Sequence, residues 1–163
     1  MKNPELFHKS IGILVNAFIN ETLTHKKCCA CAIGNLIAGN NGYNPKDSAT
    51  IGSRESWLIQ RPGSSIPTVI IPTYWTDVHC GGSMRKGRTE YPSVAGIKQL
   101  ESTGYNIYQT CQIEAAFENV LYEMNDKDGY NGLMRVVDVL IGIHEGTEDE
   151  KKTAKALFVK EAV

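Results

Sequence analysis

Three of the five cysteines in this chain lie in one short stretch, HKKCCAC, which runs from His25 to Cys31. Cys28 and Cys31 have the C-x-x-C spacing that supplies half of a four-ligand zinc site. The adjacent residues His79 and Cys80 could supply the other half, or His25 could complete it. One possible chemistry is therefore a structural zinc site formed by Cys28, Cys31, His79 and Cys80.

A second possible chemistry is nucleophilic catalysis by Cys28. If Thr24 caps a helix, this thiol lies near the first turn, where backbone N–H groups and the helix dipole favour a thiolate. A cysteine at a helix start and a later histidine near an aromatic strand resemble the layout of papain-like and transglutaminase-like enzymes. That resemblance makes His79 the base and Asp77 its orienting residue, although Trp75 precedes the histidine here. The alternative function is therefore a cysteine-dependent hydrolase or acyltransferase.

The sequence favours a structural role for the same cysteines. An odd number of cysteines, three of them close together, argues for reduced thiols rather than a disulfide framework. Cysteine also packs as a small apolar side chain, and helical spacing places Cys29 on the side of Ile33 and Leu36. We expect residues 28–39 to be helical, with Cys29 more buried than Cys28. No cofactor is predicted, with zinc as the alternative.

Acidic residues form a second group of candidates. Glu114 and Glu118 lie four residues apart on one side of a predicted helix, and Asp138 interrupts an otherwise apolar helix. All-α nucleotide pyrophosphohydrolases hold magnesium with E-x-x-E and E-x-x-D motifs on two helices. Here the first spacing is E-x-x-x-E, and Arg135 occupies the acidic position before Asp138. We therefore expect a solvated pair of glutamates and a buried, hydrogen-bonded aspartate.

Apolar periodicity predicts about five to six helices that carry these residues. The first spans Leu6 to Leu23, and the cysteine segment begins the second. The turn-forming residues from Asn125 to Gly132 are expected to connect two later helices. Further helices are predicted at 93–102 and at 133–144. Two more are predicted to begin at the cap-like pair Asn106 and Gln109 and at the capping box of Thr147 and Glu150.

Residues 40–91 form a loop-rich insertion in which glycine, serine, proline, threonine and arginine replace the helical pattern. The segments WLIQ and IPTVIIPTYWTDV are rich in β-branched and aromatic residues and predict a small hairpin or three-stranded sheet. The predicted fold is one mainly α globular domain, 1–163, with this insertion. Because long loops often carry function, we expect the insertion to be a contact surface. The candidate binding residues are His25, Asn35, Trp57, Trp75, Arg85 and Arg88.

Composition and charge exclude several classes of function. Hydrophobic residues make up 42% and charged residues 21% of the 163 residues, which is typical of a globular protein. The formal net charge is -1, so no general attraction to nucleic acid is expected. The basic cluster from Met84 to Arg88 is expected to be a solvated loop. No apolar run has the length of a membrane span, and we expect a cytoplasmic protein.

The segments HKKCCACAIGNLIA, STGYNIYQTCQIEAAFENV and GLMRVVDVLIGIHEG resemble a group of small uncharacterised proteins from bacteria and their phages. The shared motif is H-x-x-C-x-A-C-A-x-G-N. The resemblance implies a phage or prophage origin and assigns no chemistry. The leading hypothesis is an accessory protein that binds a protein or a small ligand. The matching residues are His25, Cys28, Cys31, Gly34, Asn35, Gly104, Tyr105, Glu114, Phe117, Glu118, Asp138 and His144.

Overall fold

A computed structural model describes residues 1–25, 27, 29–44, 48–51, 54–59, 62–63, 68–70, 94–118, 126 and 128–160. Within these ranges the protein is mainly α, as predicted. The helices are α1 (Pro4–Ile19), α2 (Ala32–Asn41), α3 (Val94–Glu101), α4 (Ile107–Phe117), α5 (Tyr130–Ile143) and α6 (Glu148–Lys155). The strands are β1 (Ser48–Ile51), β2 (Arg54–Ile59) and β3 (Thr68–Ile70). None of the helices in these ranges is long and apolar enough to cross a membrane.

Helix α1 presents the predicted apolar face to the core but ends before Leu23. Phe7, Ile11 and Leu14 on this face are buried. The helix stops because Glu21 adopts a left-handed backbone conformation, with φ of 58°, and the Thr22 N–H donates to the carbonyl of residue 17. This turn directs the chain away from the helix axis and into the segment that carries His25.

Helix α2 begins later than predicted. Its N-cap is Cys31, whose Sγ accepts a hydrogen bond from the Gly34 N–H at 3.3 Å. Thr24 is not the N-cap, because its N–H closes a loop by donating to the carbonyl of Ala30 at 2.8 Å. The expectation of a helix over 28–39 is therefore wrong for Cys29 and Ala30, which form a turn.

Asn35 explains why the segment before α2 is not helical. Its Nδ2 lies 3.0 to 3.1 Å from the carbonyl oxygens of Thr22, Ala30 and Cys31, and its Oδ1 accepts from the Thr22 hydroxyl at 3.0 Å. A buried amide that satisfies several loop carbonyls stabilises the loop conformation over a further helical turn. Cys29 is buried in this loop, but Cys28 lies outside the described residues, so the expectation that Cys29 is the more buried of the two stays a prediction.

The described part of the insertion contains the small sheet that its composition predicted. Its strands are antiparallel in the order β1-β2-β3. Trp57 pairs with Ser48 on one side and with Ile70 on the other. The predicted segments account for β2 and β3, while β1 comes from a stretch for which no strand was predicted. Residues 71–93, which include the end of the second predicted segment, lie outside the described ranges.

Both predicted capping boxes are present in the C-terminal half. Asn106 and Gln109 cap α4, and Thr147 and Glu150 cap α6. Helix α4 ends at Phe117 with Glu118 as its C-cap residue, and residues 119–125 lie outside the described ranges.

The end of α4 packs closely on the start of α5. The Arg135 guanidinium on α5 donates to the carbonyls of Ala116 and Phe117, at 2.7 and 3.3 Å. Gly132 faces the Phe117 ring, and a Cβ at this position would lie 2.7 Å from Phe117 Cδ2. This close packing brings the acidic side chains of α4 next to the turn that begins α5.

Candidate functional site

A histidine and three acidic side chains from separate segments meet in the interior. We call His25, Glu114, Glu118 and Asp126 the His25 cluster. The histidine lies between α1 and α2, Glu114 lies on α4, Glu118 is the C-cap residue of that helix, and the aspartate precedes α5. All three acids are buried. A buried group of ionisable side chains is costly to the fold and is typical of functional sites.

The imidazole of His25 bridges two carboxylates. Its Nδ1 lies 3.3 Å from Glu118 Oε2, and its Nε2 lies 2.8 Å from Asp126 Oδ2. Its ring stacks on Phe117, with the ring centroids 4.4 Å apart. The hydrogen bond to Glu118 contributes most to raising the pKa of His25, followed by Asp126, against the lowering effect of desolvation. Because carboxylates only accept hydrogen bonds, the imidazolium form satisfies both contacts.

Asp126 also caps helix α5. Its Oδ1 accepts from the Asn131 N–H at 2.7 Å, and its Oδ2 accepts from the Gly132 N–H at 2.8 Å. Gly129, the N-cap residue, makes no side-chain cap hydrogen bond. The carboxylate therefore satisfies two backbone donors at the positive end of the helix dipole, which fixes its position beside the imidazole.

Glu114 is the least satisfied member of the cluster. Its side chain is 1% exposed, and its Oε2 accepts from the Ile33 N–H at 3.3 Å. Its Oε1 has no hydrogen-bond partner in the described part of the chain. Burial raises the pKa of Glu114 to about 8, although a hydrogen bond with the Cys31 thiol opposes the rise. Glu114 is consequently mostly protonated at pH 7.

Two expectations about the acidic residues are wrong. Glu114 and Glu118 are not a solvated pair, because α4 directs both side chains beneath the segment that begins α2. Asp138 is not buried, because it lies on the outer side of α5. Its side chain is 49% exposed and its Oδ1 is 2.7 Å from Lys155 Nζ on α6. Asp138 therefore makes a surface ion pair that is far less costly to desolvate than a buried one.

Of the candidates for zinc binding and nucleophilic catalysis, the structure describes His25, which lies in the cluster, and Cys31. Its thiol is fully buried between α2 and Glu114, so a substrate cannot reach its sulfur in this conformation. Cys28, Asp77, His79 and Cys80 lie outside the described residues. Among the residues that are described, no three His, Cys, Asp or Glu side chains are already arranged to hold a metal ion.

The predicted binding residues fall in different parts of the molecule. His25 lies in the cluster, and Asn35 stabilises the loop that carries His25 by donating to the carbonyl of Ala30. Trp57 is in β2, where the structure defines its backbone pairing. The remaining three, Trp75, Arg85 and Arg88, lie outside the described ranges.

Sequence reasoning missed Asp126 as a member of the site. The sequence predicts Asp126 as a residue of an inter-helix turn, but its side chain also reaches His25 and the N-terminus of α5. One sequence signal points to its capping role: an aspartate lies a few residues before a helix whose N-cap residue is a glycine, which has no side chain to cap the helix. No local pattern indicates the contact with His25.

Tyr105 and His144 form a separate buried network. His144 Nδ1 donates to the carbonyl of Lys2 at 2.7 Å, so its Nε2 can accept from the Tyr105 hydroxyl at 3.0 Å. The same hydroxyl lies 2.9 Å from Ser10 Oγ. This network joins the N-terminus and α1 to the end of α5, which is a structural role.

A pocket of about 260 Å³ opens between α1 and α2, next to the loop that carries His25. Ile13, Ala17 and Gly39 form its apolar part. Because Gly39 has no side chain, the two helices can approach closely there, and a Cβ on Gly39 would lie 2.7 Å from the Ile13 side chain. Among the residues that the structure describes, its polar part consists of four asparagines and one threonine. These residues are Asn16, Asn20, Asn35, Asn44 and Thr22.

The state of Glu114 predicts how stability depends on pH. Its pKa is about 8 in the folded protein, compared with an ordinary value of 4.5. The contribution of Glu114 to the free energy of unfolding is therefore fully present below about pH 4.5 and is lost as the pH rises to about 8. This change is on the order of a few kcal/mol. We expect Glu114→Gln to reduce this loss, because the amide does not ionise.

The measurement is urea denaturation of both proteins at pH 5.5 and pH 8. The pKa of His25 is also raised, so deprotonation of His25 lowers the stability of both proteins as the pH rises. The variant should therefore keep part of the pH dependence. An equal loss of stability in the two proteins would contradict a Glu114 pKa of about 8 in the folded protein.

Comparison with protein-family models, curated proteins and solved structures finds no match to this chain.

Proposed function

We propose that this protein is a phage-type accessory protein that binds a partner through the pocket between α1 and α2. The ligand is a neutral polar group, such as an amide-bearing side chain of another protein or a small molecule of the same chemistry. The phage or prophage origin is part of the proposal and rests on the resemblance described above, with a location in the host cytoplasm or in association with the virion. The observation that carries the proposal is the asparagine lining of the pocket.

The lining specifies the chemistry of the ligand. The amides of Asn16 and Asn20 each have a donor and an acceptor, whereas the Asn35 amide is used within the loop, and none of the described residues that line the pocket is charged. Asn16 on α1 and Asn20, the C-cap residue of this helix, are exposed and lie one turn apart, so their amides can contact one ligand together. A neutral group with its own donor and acceptor matches this arrangement, whereas a charged group would lose hydration without gaining a counter-charge.

The size of the pocket indicates a small ligand. Sites for drug-sized molecules and cofactors usually occupy about 300–1,000 Å³. At about 260 Å³, this pocket suits one side chain or a comparably small molecule rather than a nucleotide cofactor. A single inserted side chain is a common anchor of a protein interface, which favours a binding role.

The cysteine-dependent enzyme remains a hypothesis that no described contact favours. Its nucleophile Cys28, its base His79 and its orienting residue Asp77 all lie outside the described residues.

The proposal can be tested with two probes of nearly identical shape. N-acetylglycinamide is a neutral amide, and N-acetylglycine carries a carboxylate in its place. We expect the neutral probe to shift the backbone amide resonances of Asn16, Asn20, Thr22 and Gly39 in two-dimensional NMR spectra. The affinity should be about millimolar, which corresponds to about 4 kcal/mol for a ligand this small. The acidic probe should bind at least about tenfold more weakly, since about 1.4 kcal/mol of uncompensated desolvation has that effect.

Two variants separate a pocket effect from a general surface effect. Asn16→Ala combined with Asn20→Ala should weaken binding of N-acetylglycinamide at least about tenfold, because two amide contacts are lost. Asn131→Ala removes an exposed asparagine from α5, away from the pocket, and should leave binding unchanged. Equal binding of both probes, or equal loss in both variants, would contradict the proposal.

A further inference from the structure

We infer that Thr22 determines which neutral ligands the pocket between α1 and α2 accepts, because its hydroxyl oxygen requires an N–H group from the ligand. The preferred ligand is a primary amide, whose carbonyl oxygen is then left for the amides of Asn16 and Asn20. An ester of the same shape has no hydrogen for Thr22 and binds more weakly. The inference rests on the proposed function, since it concerns the same pocket.

The side-chain amide of Asn35 has a fixed orientation, which is the first step. Its Nδ2 lies 3.0 to 3.1 Å from the carbonyl oxygens of Thr22, Ala30 and Cys31. Carbonyl oxygens only accept hydrogen bonds, so the nitrogen of the amide and not its oxygen must face them. These contacts use the hydrogens of Nδ2. The Oδ1 atom of Asn35 is thereby placed 3.0 Å from Thr22 Oγ1, to which it presents only an acceptor.

The orientation of Asn35 fixes the role of the Thr22 hydroxyl. A hydroxyl group has one hydrogen and two lone pairs. The partners of Thr22 Oγ1 are Asn35 Oδ1 at 3.0 Å and the carbonyl of Ala17 at 3.3 Å, and both can only accept. The single hydrogen is therefore used within the protein. In the described part of the chain no group donates to this hydroxyl, so its lone pairs can accept from a ligand in the pocket that Thr22 lines.

An acceptor at this position selects ligands that carry a hydrogen-bond donor. The NH₂ group of a primary amide can donate to Thr22 Oγ1, whereas an ester oxygen would place two acceptors against each other without a hydrogen between them. A site that accepts a hydrogen bond discriminates against an analogue that lacks the donor. Asn16 and Asn20 add no such selection, because the exposed amide of each can turn to present either its donor or its acceptor. The preference for an N–H group therefore comes from Thr22.

The test compares N-acetylglycinamide with N-acetylglycine methyl ester. Both probes are neutral and keep the acetyl N–H, and the ester replaces only the terminal NH₂ group with a methoxy group. NMR titration of the full-length protein should give a dissociation constant at least about tenfold larger for the ester, because a contact between two acceptors replaces a hydrogen bond. Thr22→Val has nearly the same shape without the hydroxyl and should reduce this ratio to about one, since neither probe then meets an acceptor there.

Two further variants separate selectivity from a change in structure. Damage to the pocket would weaken binding of both probes alike, whereas the ratio of their dissociation constants reports the contact with Thr22. Thr22→Ser retains the hydroxyl and should retain the preference for the amide. Thr153→Val removes an exposed threonine hydroxyl from α6, which contributes none of the described lining residues, and should leave binding of both probes unchanged.

Equal binding of the amide and the ester to the unsubstituted protein would overturn the inference, and so would a ratio that Thr22→Val leaves unchanged. If Thr22→Val does not fold, nuclear Overhauser cross-peaks between the terminal amide protons of the bound probe and the Thr22 methyl group decide the question. Their presence supports the inference, and their absence at a saturating probe concentration overturns it. Binding of both probes without selectivity leaves the proposed function intact, whereas no binding of N-acetylglycinamide contradicts the proposed function as well.

Discussion

Gly132→Ala should destabilise the protein by about 3 kcal/mol, because α4 and α5 leave no space for a methyl group at this position. The new Cβ would lie 2.7 Å from Phe117 Cδ2 and 2.9 Å from the Phe117 carbonyl oxygen. The carbonyl belongs to the backbone of α4 and cannot turn away, so the two helices must separate. Overpacking in a well-packed core typically costs about 1–3 kcal/mol, and contact with backbone places this substitution at the upper end.

The same helix contains a matched control. Gly142 is also in α5, and a Cβ there would meet no atom within 4 Å. Gly142→Ala should therefore stabilise the protein by about 0.5–1 kcal/mol, because alanine has the higher helix propensity. The midpoints of urea denaturation of the two variants should move in opposite directions. If both move the same way, the close packing of α4 on α5 is wrong.

Asp126→Ala should cost about 3–4 kcal/mol, since this carboxylate makes three hydrogen bonds at a buried position. The substitution leaves the N–H groups of Asn131 and Gly132 without their acceptor at the start of α5. It also removes the closer of the two partners of His25, whose imidazolium is then held by Glu118 alone. Loss of a helix cap costs about 1 kcal/mol, and breaking a buried ion pair costs about 3–5 kcal/mol when no partner remains.

Asp128 provides the comparison for this prediction. It is exposed, its Oδ1 accepts from the Tyr130 N–H at 3.2 Å, and its Oδ2 lies 3.6 Å from Lys160 Nζ. Asp128→Ala should cost no more than about 1 kcal/mol, because it loses one cap contact and a screened ion pair. Equal losses in the two variants, measured by thermal and urea denaturation, would show that Asp126 acts only as a cap and not as part of a buried charge cluster.

The parts of the fold that the sequence predicted are those determined locally. The capping boxes of Asn106 with Gln109 and of Thr147 with Glu150 each lie within four residues, so residue types and spacing are sufficient to identify them. The apolar face of α1 is equally local, because helical periodicity alone places Phe7 and Ile11 on one side.

Tertiary contacts decided what the sequence could not predict. The start of α2 depends on Asn35, which bonds to carbonyls up to 13 residues before it and keeps the cysteine segment out of the helix. The burial of Glu114 and Glu118 depends on α2 lying over α4, and nothing in the E-x-x-x-E spacing indicates that contact. His25 and Asp126 are 101 residues apart, and their pairing requires α4 and α5 to be in place.

The measurement that tests the proposed function most directly is an intermolecular nuclear Overhauser experiment with N-acetylglycinamide. The account predicts cross-peaks from the acetyl methyl group of the probe to the side-chain methyl groups of Ile13 and Ala17, which form the apolar part of the pocket. Asn16→Ala combined with Asn20→Ala should abolish these cross-peaks at the same probe concentration. Cross-peaks only to side chains outside the pocket, or none at a concentration that saturates the chemical-shift changes, would contradict ligand binding between α1 and α2.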